Sequence, residues 1–194
     1  MTRKPQKLEQ VIEAAIVEFQ DNGFAAANMD RVSERAQVSK RTLYNYFDSK
    51  ELLFQEIVNR AGEHFADNVP CKFVQGVEIS LQLHDLALRL IRPYTNADAV
   101  KMARLITGEM LRNREMVAGM ISEIELAKPA DAFFSSAILA GAVTKQNGDA
   151  LAEDFSAFIK GRCFWPAVLS GEVVSLAKAE HVAKSASRLF SSQI

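Results

Sequence analysis

The chain has 194 residues, 48% of them apolar, and 23 Lys and Arg against 24 Asp and Glu, for a net charge of −1. That is enough apolar matter for a sizeable core and too little charge imbalance for a disordered chain or an indiscriminate polyanion binder. Any basic surface has to be concentrated in one place.

The opening residues Met1-Thr-Arg-Lys-Pro lead into an amphipathic pattern, not an apolar run, so neither a secretion signal nor a membrane span is expected there and the cytoplasm is the expected compartment. Arg3, Lys4 and Lys7 form a short basic arm that could follow an adjacent groove of DNA or lie in solvent, the latter being the expectation. Leu8, Val11, Ile12, Ala15, Ile16 and Phe19 recur at helical spacing and predict an amphipathic helix of about four turns. Gly23 is placed to end it, with Phe24 folding back onto the last turn. Asn28 is a natural N-cap for a second, short helix whose inward face is Met29, Val32, Ser33 and Ala36. Ser39 can cap a third, with Leu43 and Phe47 inward. Asp48-Ser-Lys-Glu51 has capping-box spacing, with Asp48 in the cap role, and opens a long helix carrying Leu52, Leu53, Ile57 and Val58. Four helices thus fit into residues 6–68. Beyond Pro70 and Gly76, helices are predicted at about 78–92, 97–112, 114–146, 149–169 and 172–190, with a kink where Pro129 meets the carbonyl of Glu125. No strand alternation intervenes, so the chain reads as all-α.

Two short helices around a tight turn are what a protein needs to place a helix end in a major groove. Amides at the start of the second helix attract phosphate, Lys40 and Arg41 can reach base edges or backbone, and the Thr42 and Tyr44 hydroxyls can bond phosphate oxygens. Lys50 would add a second grip. The run Val38-Ser-Lys-Arg-Thr-Leu-Tyr-Asn-Tyr-Phe-Asp-Ser-Lys-Glu-Leu-Leu53, preceded by Asn-Gly-Phe24, resembles the signature of the tetracycline-repressor (TetR) family over about residues 8–54.

The resemblance implies an N-terminal three-helix helix-turn-helix DNA-binding domain, residues 1–49, followed by a larger helical ligand-binding and dimerisation domain, residues 50–194, with the helix from 50 to about 68 linking them. It implies operator contacts from Ser39, Lys40, Arg41, Thr42, Tyr44, Asn45, Tyr46 and Lys50, and a phosphate contact at Asn28, where the family usually has Thr. The implied partners are double-stranded operator DNA, a small-molecule effector and a second copy of the chain, and the implied role is a repressor released by the effector. A ligand-dependent activator, or an interaction protein of this fold that has lost DNA binding, are the competing readings. Gln37 stands where the family usually has Gly. A positive φ at a non-glycine residue costs roughly 1 kcal/mol, so the turn is either strained or shaped differently.

Asp154-Phe-Ser-Ala-Phe-Ile-Lys-Gly161 resembles the AefR-type subgroup. Met102, Ile106, Met110, Met120, Ile124, Phe133 and Phe134 are expected to line an adaptable apolar pocket, although Met and Phe at helical spacing also suit plain core. Phe155, Phe158, Ile159, Val174 and Ala177 are expected at the dimer interface, in a four-helix bundle, with an intramolecular seam as the other reading of that face. His64, His84 and His181 lack metal-ligand or triad spacing, no glycine-rich nucleotide loop occurs, and Cys71 and Cys163 read as free thiols. Neither catalysis, a cofactor nor a metal is expected.

Overall fold

The computed structural model describes residues 3–67, 72–112 and 129–194. Among these the regular elements are helical: α1 (Arg3–Ala26), α2 (Met29–Arg35), α3 (Lys40–Tyr44), α4 (Lys50–Asp67), α5 (Ile79–Ile91), α6 (Ala97–Arg112), α7 (Pro129–Leu139), α8 (Lys145–Ile159), α9 (Trp165–Ser170) and α10 (Leu176–Ser191). The chain divides into two compact units, Met1–Gly62 with Met102–Glu125, and Glu63–Lys101 with Leu126–Ile194.

In the first unit the predicted stripe of α1 closes on α2, α3 and α4: Val11, Ile12, Ala15 and Phe19 share a buried cluster with Met29, Val32, Leu43, Leu53, Phe54 and Ile57. Gly23, at φ 72 and ψ 165, breaks the α1 backbone in a region open essentially to glycine alone. The break turns Phe24 back against Phe19 and Phe54, with ring centroids 5.6 and 5.0 Å away. By packing, α4 belongs to this unit as far as Gly62, and Met102, Leu105 and Ile106 of α6 rest on the same cluster.

The turn between α2 and α3 forms the closed helix end that Gly usually makes, with Gln37 in its place. Gln37 has φ 53; its N–H bonds the Glu34 carbonyl at 3.1 Å, and the Val38 N–H bonds the Ser33 carbonyl at 3.1 Å. These are the two hydrogen bonds of a Schellman motif, so the left-handed geometry is retained and the side chain bears its strain. At the start of α4 the cap moves by one residue from the expected Asp48: the Ser49 hydroxyl accepts from the Leu52 N–H at 3.2 Å.

The second unit is built around α5 paired with α10 and α7 paired with α8. Leu83, Leu86, Ile91, Phe133, Phe134, Phe155 and Phe190 form its core. Edge-to-face aromatic contacts run from Phe73 through Phe133, Phe134 and Phe155 to Phe190, at centroid separations of 5.1–6.1 Å. The predicted 114–146 helix is interrupted: its described part ends at Leu139, Gly141 turns the chain at φ 72, and Thr144 caps α8. Residues 113–128, with the expected kink at Glu125, lie outside the described residues. A π-helical segment, Lys160–Phe164, joins α8 to α9, and the Trp165 N–H reaches back to the Lys160 carbonyl. This wide turn sits just ahead of Pro166, whose ring would otherwise collide with the carbonyl four residues earlier. Gly171 ends α9 in the left-handed conformation, and α10 starts at Leu176 behind the Ser175 cap, later than the predicted 172.

Because Gln37 alone carries a left-handed φ among the described non-glycine residues, Gln37→Gly is expected to stabilise the protein by about 0.5–1 kcal/mol, the relief of Cβ strain less the added freedom of the unfolded chain. Urea melts of the two proteins check this; an equal or lower midpoint for the glycine variant would show that the turn bears no strain.

Candidate nucleic-acid interface

The pair α2 and α3 is positioned from beneath by a carboxylate that sequence reading passed over. Glu18 on α1 is fully buried. Its Oε1 accepts from the Asn28 backbone N–H at 3.3 Å and from Arg31 Nε at 2.6 Å, and its Oε2 lies 3.4 Å from Arg35 Nε. Arg31 also donates to the Ala26 carbonyl at 2.6 Å, and Arg35 pairs with Asp21 at 2.9 Å. A carboxylate out of water is costly unless paired and hydrogen-bonded, and here the pairing fixes α2 against α1. The signal was present in the sequence: Glu18 falls seven residues after Val11 and three after Ala15, inside the apolar stripe.

Asn28 caps α2, its side-chain oxygen accepting from the Asp30 N–H at 2.7 Å. Ser39 caps α3 by accepting from the Thr42 N–H at 3.1 Å, and the Ser39 and Thr42 hydroxyls are 2.8 Å apart. With Leu43 buried beneath, Lys40, Arg41, Tyr44 and Asn45 are exposed on the outer side, while Thr42 and Tyr46 are half-buried, Tyr46 against the core cluster. Lys40 Nζ lies 2.6 Å from Asp30 Oδ2. The hydrogen bond that the Lys40 ammonium donates to Asp30 holds it above the usual lysine range. Among the described residues Arg41 has no ion-pair partner.

Lys50 has an internal position. Its ammonium donates to the carbonyls of Phe24, Ala25 and Ala27 at 2.7, 3.2 and 3.3 Å and lies 4.6 Å from the centre of the Phe24 ring. It therefore satisfies the carbonyl end of α1, where a cation is favoured.

The residues expected to bind an effector are distributed between the units. Met102 and Ile106 pack on the N-terminal cluster, Met110 is half-buried on α6 near the buried Glu109, and Phe133 and Phe134 are core of the second unit. Met120 and Ile124 lie outside the described residues. Phe134 also lines an open cavity of about 210 Å³ with Asp131, Ser135, Gly148, Asp149 and Ala152. Of the expected dimer residues, Phe155, Ile159 and Val174 are inside the core of the single chain at 0, 2 and 4% exposure, Phe158 is half-buried against it and Ala177 is exposed. Cys163 is buried and free; burial pushes its thiol up. Among the described residues no three His, Cys, Asp or Glu side chains form a group that could hold a metal ion, and no helix is long and apolar enough to cross a membrane.

Two short helices, a closed turn between them, and a second helix presenting basic and polar groups define a helix-turn-helix of the kind found in transcriptional regulators. Residues 11–57 match the family described as bacterial regulatory proteins, tetR family, and residues 81–192 match the C-terminal domain of AefR-like transcriptional repressors. A TetR-family transcriptional regulator from Pseudomonas syringae pv. tomato is 31% identical, with a TM-score of 0.79 over 95% of this chain and 94% of that one. The flavonoid-responsive regulator FrrA is 26% identical, with a TM-score of 0.75 over 96% and 95% of the two chains. The HTH-type transcriptional repressor SCO4008 of Streptomyces coelicolor is 33% identical over 61 residues, 31% of this chain and 32% of its own length, so this chain matches about a third of that curated relative. The chain belongs to the TetR family of bacterial regulatory proteins and carries an AefR-like C-terminal domain.

Replacing the buried carboxylate by its uncharged isostere, Glu18→Gln, is expected to cost about 1–3 kcal/mol, the range for hydrogen bonds to charged groups, and a chemical melt measures it. An unchanged midpoint would mean that the ion pairs contribute nothing net. Lys50→Met should likewise lose about 1–2 kcal/mol of stability through three carbonyls left without a donor. Were Lys50 a phosphate ligand only, its replacement would leave the melt unaltered and weaken DNA binding alone.

Proposed function

We propose that this protein is a cytoplasmic, homodimeric repressor, without catalytic activity, that binds a palindromic operator through α3 and is released by a small apolar effector. The exposed side of α3 carries the reading: Lys40, Arg41 and Tyr44, with the C-cap Asn45, belong to one short helix whose inward residue, Leu43, is locked in the core. In this reading Lys40 and Arg41 reach base edges or backbone, and Ser39, Thr42, Tyr44 and Asn28 hold phosphate oxygens. Asn45 and the hydroxyl edge of Tyr46 reach the same groove. Lys50 acts behind them, holding the end of α1.

Residues 1–49 are the DNA-binding domain in this proposal and residues 50–194 the effector and dimer domain, with α4 as the link. A second copy would place two recognition helices about 34–36 Å apart, one turn of duplex. The surface that favours such pairing is an apolar run along α9 and into the start of α10. Trp165, Leu169, Val173 and Leu176 are 46, 77, 45 and 78% exposed, more than a lone soluble chain usually leaves to water in one place. Ala177 follows that run in the chain and is exposed, whereas Phe155, Ile159 and Val174 are buried in the chain's own core and Phe158 is half-buried against it. FrrA is named as flavonoid-responsive. Its likeness over nearly the whole chain favours a small, largely apolar effector here, and displacement of α4 by that molecule is the proposed route to release.

The double variant Lys40→Ala, Arg41→Ala is expected to lose operator affinity by at least about thirtyfold, from two base or phosphate contacts of about 1–3 kcal/mol each, with its melting temperature unchanged. Fluorescence anisotropy against operator and scrambled duplexes at two salt concentrations reads this. Retained affinity would place the DNA-binding surface elsewhere, and equal weak binding of the unaltered protein to both duplexes would favour an interaction protein.

A further inference from the structure

The ion pair between Lys40 and Asp30 joins the first residue of α3 to the first turn of α2, and it stands on the outer side of both helices, with side chains 61 and 46% exposed. Exposed pairs of this kind contribute little to stability, so the fold gives small reason for it. Its cost is plain: a carboxylate on the face turned toward DNA repels phosphate. The carboxylate is also well fixed. The Asp30 N–H donates to Asn28 Oδ1 at 2.7 Å and its carbonyl accepts from the buried Ser33 hydroxyl at 2.8 Å, so the residue that carries the anion is part of the α2 cap itself.

A lysine is a point charge on a flexible stem with three donors, and left alone it settles on the nearest phosphate, which contributes affinity without sequence information. With one donor held by Asp30 at 2.6 Å, two donors remain and the ammonium is confined to the head of α3. That end of a recognition helix is the part that meets base edges. The neighbouring Arg41, without a partner among the described residues, is left to take backbone phosphate.

We propose that Asp30 is a specificity-determining residue: by tethering Lys40 and repelling phosphate, it turns that lysine from a backbone contact into a reader of acceptor-rich base edges, chiefly guanine O6 and N7. The inference rests on the reading of α3 as the DNA-contacting helix. Asp30 is then a positioning residue acting through Lys40. The same carboxylate offsets a basic residue at a helix N-terminus, and a merely structural role of that kind would act on all DNA alike.

The test uses the full-length protein and two duplexes, one selected by the unaltered protein from a random pool and one scrambled from it, with Asp30→Asn, Lys40→Met and the double variant. Asp30→Asn is expected to bind the scrambled duplex about three- to tenfold more tightly, with the salt slope steeper by about one, while affinity for the selected duplex stays level or falls. The ratio between the duplexes thus shrinks. In the Lys40→Met background the same aspartate change should no longer alter that ratio. An unchanged ratio in Asp30→Asn, or an equal loss on both duplexes with a lower melting temperature, would overturn the proposal. If the unaltered protein selects no sequence, or Lys40→Met leaves its binding untouched, it is the reading of α3 that fails.

Discussion

The buried carboxylate of Glu18 is the constraint on which the N-terminal unit depends. A charge taken fully out of water persists where opposite charge and donors are held against it, and here they come from α2: the backbone of its cap residue and Arg31 donate to Oε1, while Oε2, which accepts no hydrogen bond among the described residues, faces Arg35 at 3.4 Å. Breaking any one of them leaves the others badly placed, so the crossing of α1 and α2 has one satisfactory solution. An apolar contact would tolerate sliding more readily than these two hydrogen bonds and the ion pair beside them. Ion pairs of this kind are poor evidence for stability, and their value lies in fixing geometry.

That geometry is passed to α3 through Asn28, Gln37 and Ser39 in turn. The same residue whose amide binds Glu18 caps α2, and α2 ends at a Schellman motif that delivers the chain to the Ser39 cap. The direction of α3 is therefore set by local hydrogen bonds at both ends of a seven-residue helix. Lys50 ties the far side of the arrangement. Because its ammonium holds carbonyls on both sides of Ala26, a shift in the first turn of α4 pulls on the segment that leads into Asn28. Movement of α4 and the attitude of the helix pair are mechanically joined within this unit.

What could be read from the sequence was what neighbours in the chain decide. The Asn28 and Ser39 caps, the break at Gly23 and the inward face of α1 each depend on a few consecutive residues, and each is found where expected. The cap of α4 moved from Asp48 to Ser49 because both side chains can serve and only the entry of the chain selects between them. The predicted 114–146 helix failed beyond Leu139 for a related reason: Ala140-Gly-Ala142 preserves the apolar rhythm while Gly141 takes a conformation no helix permits. Periodicity also cannot name what an apolar face meets. Phe155 and Ile159 lie on one side of α8, and the pattern suits a partner subunit and the chain's own core equally. In the structure that side meets Phe134 and Phe190, while Trp165, Leu169, Val173 and Leu176 after the π-helical turn are exposed.

The distribution of basic side chains bears most directly on how a chain of net charge −1 meets a polyanion. In the helix pair and its supports, Arg31 and Arg35 answer Glu18, Lys50 answers backbone carbonyls, and Lys40 answers Asp30. Most of the positive charge around α3 is thus bound up in holding the helix pair together, with Arg41 the one basic group of α3 that carries no partner among the described residues. A surface built this way has little attraction to spare for duplex in general. If α3 is the DNA-contacting helix as proposed, its affinity comes from contacts made only when the groove presents the right acceptors, and a weak general field then favours discrimination because non-specific sites compete less.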